Sequence, residues 1–280
     1  MTGMGIKKIK VKAPAKINLT LKVGSVRPDG FHPIESIMSA INLFDYIDIE
    51  TSNRSDISSE KTPACSFVKI SSNSNEIPND SSNIAYKAAE LFLKETKISD
   101  NINIYIEKNI PVCAGLAGGS TDASGVIWGL NELYNKPLDE IKINSMLQTL
   151  GSDLNFCLVG STKLCKGRGE KLFNMEHKTI PITLIKPLNL KISAKEAYQR
   201  FDEATVSGMV SNLPNDLEFA LLPHYSEIQY LHNLGLQMSG SGPTFFAKQA
   251  FLEPEIKEKL EGKYLIVENL KTFDGGVLRG

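Results

Sequence analysis

The sequence predicts an α+β protein. Three observations carry the prediction. Strand and helix patterns intermingle without the strict alternation of a doubly wound sheet. The chain has 280 residues, enough for one large domain or two modest ones. Near its middle, a clear strand runs through a glycine-rich loop directly into a helical pattern. A division near Gly160 gives two parts, 1–160 and 161–280.

Each element follows from its pattern. Residues 6–26 read as extended structure, because "INLTLKV" alternates apolar and polar side chains, and "RPDG" then marks a turn. A further strand is expected at Tyr46–Thr51. The segment 52–82, rich in Ser, Asn and Pro, reads as a hairpin with polar loops around a short apolar stretch at 67–70. Ser82 and Asn83 can cap a helix to about Glu95, with Ile84, Ala88, Leu91 and Phe92 on one face. "INIYIEK" sets Ile102, Ile104 and Ile106 on one side of a strand. A helix follows over 120–134, striped by Val126, Ile127, Leu130 and Leu133, and another over 139–150. Beyond it, "ITLIKP" and "YLIVEN" read as strands, and "AKEAYQRF", "NDLEFALL" and "PEIKEKL" as helices.

Composition narrows the partners. Hydrophobic residues make up 41% and charged residues 22%, the balance of a water-soluble globular chain. The 31 basic and 32 acidic residues leave a net charge of -1, so no overall field draws in nucleic acid or an anionic membrane. The lysines of "IKKIKVK" alternate with apolar residues and read as the wet face of a strand. No apolar run nears the roughly 18 residues of a membrane span. The start of the chain shows no secretory pattern, so a cytoplasmic protein is expected. Cys65, Cys113, Cys157 and Cys165 form no C-x-x-C pair and have no histidine at zinc-ligand spacing. They are expected as reduced thiols, with no resident metal site.

The loop "PVCAGLAGGSTDAS" spans Pro111 to Ser124. Glycine lets an anion approach bare backbone, and a helix start offers free N–H groups with a positive dipole end. Ser120 and Thr121 add hydroxyls for phosphate or a metal ion. The loop is therefore shaped for phosphates. It lacks the lysine of a Walker A loop, its spacing is wrong for a dinucleotide fingerprint, and the H-R-D and D-F-G signatures of protein kinases are absent.

This stretch resembles the P-x-x-x-G-L-x-G/S-S-S-x-A loop of the GHMP kinases, the group containing galactokinase, homoserine kinase and mevalonate kinase. "APAKINLTLKV", from Ala13, and "MSGSGPTFFA", from Met238, resemble that group's N-terminal and C-terminal motifs in the right order. "RPDGFHPIESI", "LGSDLNFCLVG" and "CKGRGE" are similar to the branch that phosphorylates the 2-hydroxyl of a cytidine diphosphate sugar alcohol, on the non-mevalonate route to isoprenoid precursors.

The resemblance implies a two-lobed α+β fold with the active site between the lobes. ATP would bind at Pro111, Val112, Cys113, Ala114, Gly115, Leu116, Ala117, Gly118, Gly119, Ser120 and Thr121, accompanied by Mg2+. Asp153 matches the group's catalytic aspartate, and Lys16 its lysine. A cation beside a carboxylate favours its charged form and can stabilise charge at the reacting oxygen. Taken alone, Asp153 could equally be a helix cap, and Lys16 a solvated strand lysine. Asn18, two residues on, shares a strand face with Lys16 and would hydrogen-bond the acceptor.

In "DGFH", Phe31 would stack on cytosine and His32 read its polar edge; the plain alternative is a turn with a core aromatic. Ser239, Gly240, Ser241 and Gly242 would approach the substrate phosphates and the glycine loop. "NDLE", from Asn215, resembles a family stretch and receives no catalytic role. The chain departs from the pattern at Phe31, usually Tyr, at Ala117, usually Gly, and at Asn155, often Pro. The expected partner is the small-molecule acceptor, bound by a monomer or weak homodimer, with no nucleic acid and no membrane. Two rivals stay open: another small-molecule kinase of the homoserine or mevalonate type, and a catalytically silent relative that only binds a ligand.

Overall fold

The computed structural model describes residues 6–52 and 68–280. Two long antiparallel strands, β1 (Lys7–Val23) and β2 (Ile34–Ser52), form the spine of the first sheet. The expected strand at Tyr46–Thr51 is only the end of β2. Its earlier half pairs with a different partner and is continuously buried only from Met38 to Ile41, which blurs the period-2 signal. β3 (Val68–Ser72) and β4 (Asn101–Glu107) extend one side of the sheet, β3 running parallel to β4. The rest of the expected 52–82 hairpin falls partly on residues 53–67, outside the described residues.

Four helices accompany this sheet: α1 (Ile84–Thr96), α2 (Gly118–Leu133), α3 (Glu140–Leu150) and α4 (Leu154–Val159). α1 and α3 begin where the sequence places them, capped by the side chains of Asn83 and Asp139. α2 starts two residues earlier than expected, because Gly118 and Gly119 adopt helical geometry. It lies directly on the spine. A Cβ on Gly125 would come 2.6 Å from Ile47, and one on Gly129 would come 2.7 Å from Ile49 and 2.9 Å from Val11. The core between them is aliphatic: Val11, Ile47, Ile49, Ile104, Val126 and Leu130.

That contact gives a stability prediction. Overpacking a tight core costs about 1–3 kcal/mol, while replacing a mid-helix glycine recovers less than about 1 kcal/mol. Gly129→Val is therefore expected to lower unfolding free energy by about 1–2 kcal/mol in a urea titration. An unchanged midpoint would show that α2 can lift away freely.

β5 (Thr162–Gly167) and β6 (Lys171–Asn174) attach to the first half of β2, so residues following the expected division at Gly160 pair within the first sheet. The second sheet holds β7 (Pro181–Pro187), β8 (Gln237–Met238), β9 (Phe245–Ala247) and β10 (Tyr264–Lys271), in the order β10-β7-β9-β8. Its helices are α5 (Ala194–Val206), α6 (Asp216–Leu221), α7 (Ser226–Asn233) and α8 (Pro254–Leu260). The last strand, β11 (Leu278–Arg279), returns to the free side of β1. The expected α+β class is what the chain adopts, with the two sheets meeting along β1. Among the described residues, no helix is long and apolar enough to cross a membrane.

Candidate active site

β1 does not run evenly through "APAKINL". Its register against β2 shifts between Pro14 and Ala15 and again between Asn18 and Thr20. Bulges re-aim side chains, and these two bracket Lys16 and Asn18. Both side chains turn the same way, as their spacing predicts: Lys16 Nζ donates to Asn18 Oδ1 at 2.6 Å. Asn18 Nδ2 donates to Ser36 Oγ at 2.8 Å, and that hydroxyl donates to the Thr20 carbonyl. Lys16 is thus a buried residue with a fixed ammonium, not the solvated strand lysine of the alternative reading.

Its ion partner is Asp153, with Lys16 Nζ 3.3 Å from Oδ2. Asp153 occupies the N-cap position of α4, yet its side chain caps nothing. The carboxylate faces a cleft of about 930 Å³ instead. Burial raises the neighbouring thiol of Cys165 to about 12, and Asp153's negative charge adds to that rise. The thiol stays protonated at neutral pH.

The glycine loop forms another wall of the cleft. Pro111, Val112, Cys113, Ala114 and Gly115 line it, as do Ala117, Gly118, Gly119 and Ser120. Leu116 and Thr121 do not: both are buried, Leu116 among Ala15, Ile17 and Ile41 and Thr121 with its hydroxyl in the interior. Any part they play in binding is through backbone. The Leu116 carbonyl accepts the Lys16 N–H at 3.1 Å, tying the loop to the strand that carries the lysine. Unlike α1, α3 and α5, α2 has no side chain capping its start. Its first amides stay available to an anion. Ala117 and Cys113 hold φ of 59° and 51°, the left-handed region that glycine enters freely, so the alanine departure carries a real conformational cost.

Under the loop lies a charged cluster that sequence reading missed. Lys108, at the end of β4, reaches Asp45 at 2.5 Å and Asp122 at 2.9 Å, all three buried. A Cβ on Gly118 would sit 2.9 Å from the Lys108 ammonium. Burial opposes the lysine's charge, but the two carboxylates outweigh it and raise its pKa. Burial pushes Asp122 well up, against the pull of Lys108. Nothing in the spacing of residues 45, 108 and 122 announces this cluster.

The opposite end of the cleft is aromatic. Phe31 is 44% exposed, with the Arg168 guanidinium 3.6 Å from its ring centre. His32 is held from behind: Nδ1 bonds the Gly24 carbonyl at 2.9 Å, and Nε2 lies 3.5 Å from Asp202. Its ring stacks on Tyr198 at 5.1 Å. Tyr198, on α5, also faces the cleft; burial, with a contribution from Asp153, raises its hydroxyl to about 12. Tyr198 and Lys108 carry no signal of their own in the sequence, and Arg168 lies in "CKGRGE" without an assigned role; each joins the cleft only through tertiary packing.

The second lobe brings the C-terminal glycine motif to the same place. Gly240 and Ser241 line the cleft, whereas Ser239 is fully buried and Gly242 stands behind them. The Asn18 N–H donates to Ser239 Oγ at 3.2 Å, and that hydroxyl lies 3.3 Å from the Gly115 carbonyl. All three motifs therefore meet at one point.

Residues 83–161 match the model of the GHMP kinases N terminal domain. The chain is 38% identical to 4-diphosphocytidyl-2-C-methyl-D-erythritol kinase of Syntrophomonas wolfei, covering 95% of this chain and 98% of that one. It is 34% identical to the same enzyme of Clostridium beijerinckii, over 92% of this chain and 99% of the relative. Among solved structures, one of 4-(cytidine 5'-diphospho)-2C-methyl-D-erythritol kinase superposes with a TM-score of 0.73 at 26% identity, covering 95% and 100% of the two chains. A mevalonate kinase superposes at 0.67 with 14% identity, a likeness of fold alone.

Proposed function

The chain belongs to the 4-diphosphocytidyl-2-C-methyl-D-erythritol kinases, within the GHMP kinases, and we propose that Lys16 and Asp153 carry its chemistry. It is an ATP-dependent small-molecule kinase. The reaction moves a phosphoryl group from ATP to the 2-hydroxyl of 4-diphosphocytidyl-2-C-methyl-D-erythritol, giving the 2-phosphate and ADP, in the non-mevalonate pathway.

The observation that supports the residue roles most is the buried Lys16 ammonium, 3.3 Å from an uncapped carboxylate that opens on the cleft between loop and aromatic wall. Phosphoryl transfer asks for positioning and for charge stabilisation. In this reading Asp153 accepts the proton of the acceptor hydroxyl. Lys16 offers its positive charge to that oxygen as it becomes negative, and Asn18 fixes the ammonium. The first amides of α2, at Gly118, Gly119 and Ser120, hold the nucleotide phosphates.

The cleft also suits Mg2+. Ser120 and Asp153 supply oxygens there, and among the described residues no three His, Cys, Asp or Glu side chains converge into a closed cage. That is the donor set of an ion that keeps its waters and takes further oxygens from nucleotide phosphates. When bound, it would neutralise charge on the transferred group. We place the first lobe from β1 to the end of β6, completed by β11, and the second from β7 to β10.

The acceptor's base is read at the aromatic end. Phe31 and Tyr198 offer stacking faces, which attract any base by about 1–3 kcal/mol. Choice must come from polar contacts. With Nδ1 engaged by Gly24, Nε2, 3.5 Å from Asp202, is the ring's remaining polar atom for reading the polar edge of cytosine.

An ADP-release assay with cytidine and uridine acceptors, homoserine and mevalonate tests the whole reading. The parent is expected to turn over the cytidine acceptor with clear preference. Phe31→Ala is expected to lower kcat/KM for cytidine and uridine acceptors alike. His32→Ala is expected to lower the cytidine value selectively and narrow the ratio. A parent without base preference, or a His32 variant that loses both equally, would leave only an unspecified GHMP kinase.

A further inference from the structure

The start of α6 has had no part in the reaction so far. Its N-cap, Asn215, is fully buried, and its side chain uses every hydrogen-bonding position it has. Oδ1 accepts from the amides of Leu217 at 3.0 Å and Glu218 at 3.4 Å, which is ordinary helix capping. Nδ2 does something else. It donates to the carbonyls of Met238 and Gly240, both at 2.9 Å. Glu218, one turn on and also buried, accepts the Met238 N–H at 2.9 Å and bonds His232 Nδ1 at 2.8 Å. The same segment grips the end of β1: the Pro214 carbonyl accepts the Leu21 N–H at 2.8 Å, and Asp216 Oδ2 accepts the Val23 N–H at 3.0 Å.

The peptide that Asn215 holds is the one that touches the reacting groups. Gly240 has φ 57°, and a Cβ there would lie 3.0 Å from the Gly115 carbonyl, 3.2 Å from Asn18 Oδ1 and 3.3 Å from Lys16 Nζ. A glycine peptide in that region has several conformers of similar energy. Two N–H donors fixed on the carbonyls either side of Ser239 select one of them. Asn215 itself does not line the cleft, so it acts through what it holds: this turn, by Nδ2, and the start of α6 with Leu217 at the cleft, by Oδ1.

We infer that Asn215 is a positioning residue for phosphoryl transfer: it seats the 239–242 turn against Lys16, Asn18 and Gly115, and so sets the acceptor hydroxyl and the nucleotide at reacting distance. The inference rests on the reading of Lys16 and Asp153 given above. It differs from a capping role alone, because a cap uses Oδ1 and this function uses Nδ2.

That difference supplies the experiment. Asn215→Ser keeps a good N-cap but cannot reach the two carbonyls, and Asn215→Asp keeps the cap while losing both donors. A misplacement of about 1 Å at a reacting centre costs on the order of 100-fold. Both variants are expected to unfold cooperatively below the parent's temperature, since two buried carbonyls lose their donor, and to bind a non-hydrolysable ATP analogue and the cytidine acceptor within about threefold of it. Their kcat should fall about 10- to 100-fold. If Asn215→Ser does not fold, the same split is read from Asn215→Asp. The inference is overturned if kcat stays within about threefold, if the loss lies in KM alone, or if neither variant folds, which would make Asn215 a residue of the core only. The parent and Asp153→Asn are measured beside them. An inactive parent, or an active Asp153 variant, counts against the underlying reading and not against Asn215.

Discussion

Asp153→Asn is expected to lower turnover of the cytidine acceptor by about 100- to 10,000-fold, the range for losing a general base, while the protein stays folded. The separation follows from how Asp153 is held. It stands at the N-cap of α4 without capping it, so the helix loses nothing when the carboxylate becomes an amide. Lys16 loses an ion partner but keeps Asn18 Oδ1 at 2.6 Å, and the Asp153 side chain is 29% exposed to the cleft, where water can replace it. The unfolding temperature should fall by only a few degrees. Nucleotide binding depends on the glycine loop and the start of α2, neither of which bonds Asp153, so a non-hydrolysable ATP analogue titrated without Mg2+ should bind within about threefold of the parent. Steady-state rates, a thermal melt and an analogue titration decide it. Turnover within a few-fold of the parent would remove Asp153 from the role of base. A collapse of nucleotide binding would make it a scaffold of the loop.

How much of this was legible in the sequence depends on where the signal lives. β4 is read almost to the residue, because Ile102, Ile104 and Ile106 all face one core. α1 is read from its cap, since Asn83 bonds the Ala85 amide as the capping rule predicts, and α3 lies where the sequence places it, with Asp139 bonding the Lys142 amide. The first half of β2 is not legible, because Met38 to Ile41 are all buried and the small or polar Ser36, Ser39 and Ala40 stand among the buried positions. α4 is missed for a related reason: six mostly apolar residues after Asp153 look the same as a buried strand.

The site divides in the same way. Lys16 and Asn18 follow from strand spacing, and the structure joins them directly. Leu116, in the loop, and Thr121, in the first turn of α2, both send their side chains into the interior. Lys108 and Tyr198 come from elements distant in sequence, and each enters the cleft only after the lobes have formed. Asn215 reads in the sequence as part of a family stretch without a role. Its role is invisible until the carbonyls of Met238 and Gly240 are seen on either side of Ser239.

The meeting of the lobes yields the second large expected effect. Gly115→Ala is expected to lower kcat/KM about 100-fold and unfolding free energy by about 2–5 kcal/mol. Two costs add. Gly115 has φ 70°, where an alanine costs about 1–2 kcal/mol. Its new Cβ would also lie 2.5 Å from the Ser239 carbonyl and 3.1 Å from both the N and the O of Gly242, and these are backbone atoms that cannot swing aside. Relieving that overlap must push the glycine loop and the 239–242 turn apart, at a further cost of about 1–3 kcal/mol. The Leu116 carbonyl next to it holds the Lys16 amide, so the shift also reaches the Lys16–Asp153 pair. Gly262→Ala isolates the first cost: φ there is 76°, but a Cβ would meet nothing within 4 Å. Urea unfolding and kinetics on both variants separate the contributions. Gly262→Ala should lose about 1–2 kcal/mol with unchanged kinetics, and Gly115→Ala should lose more in both measurements. If the two variants unfold alike and Gly115→Ala retains its rate, the lobes do not bear on one another at this glycine, and the three motifs would have to act without a common contact.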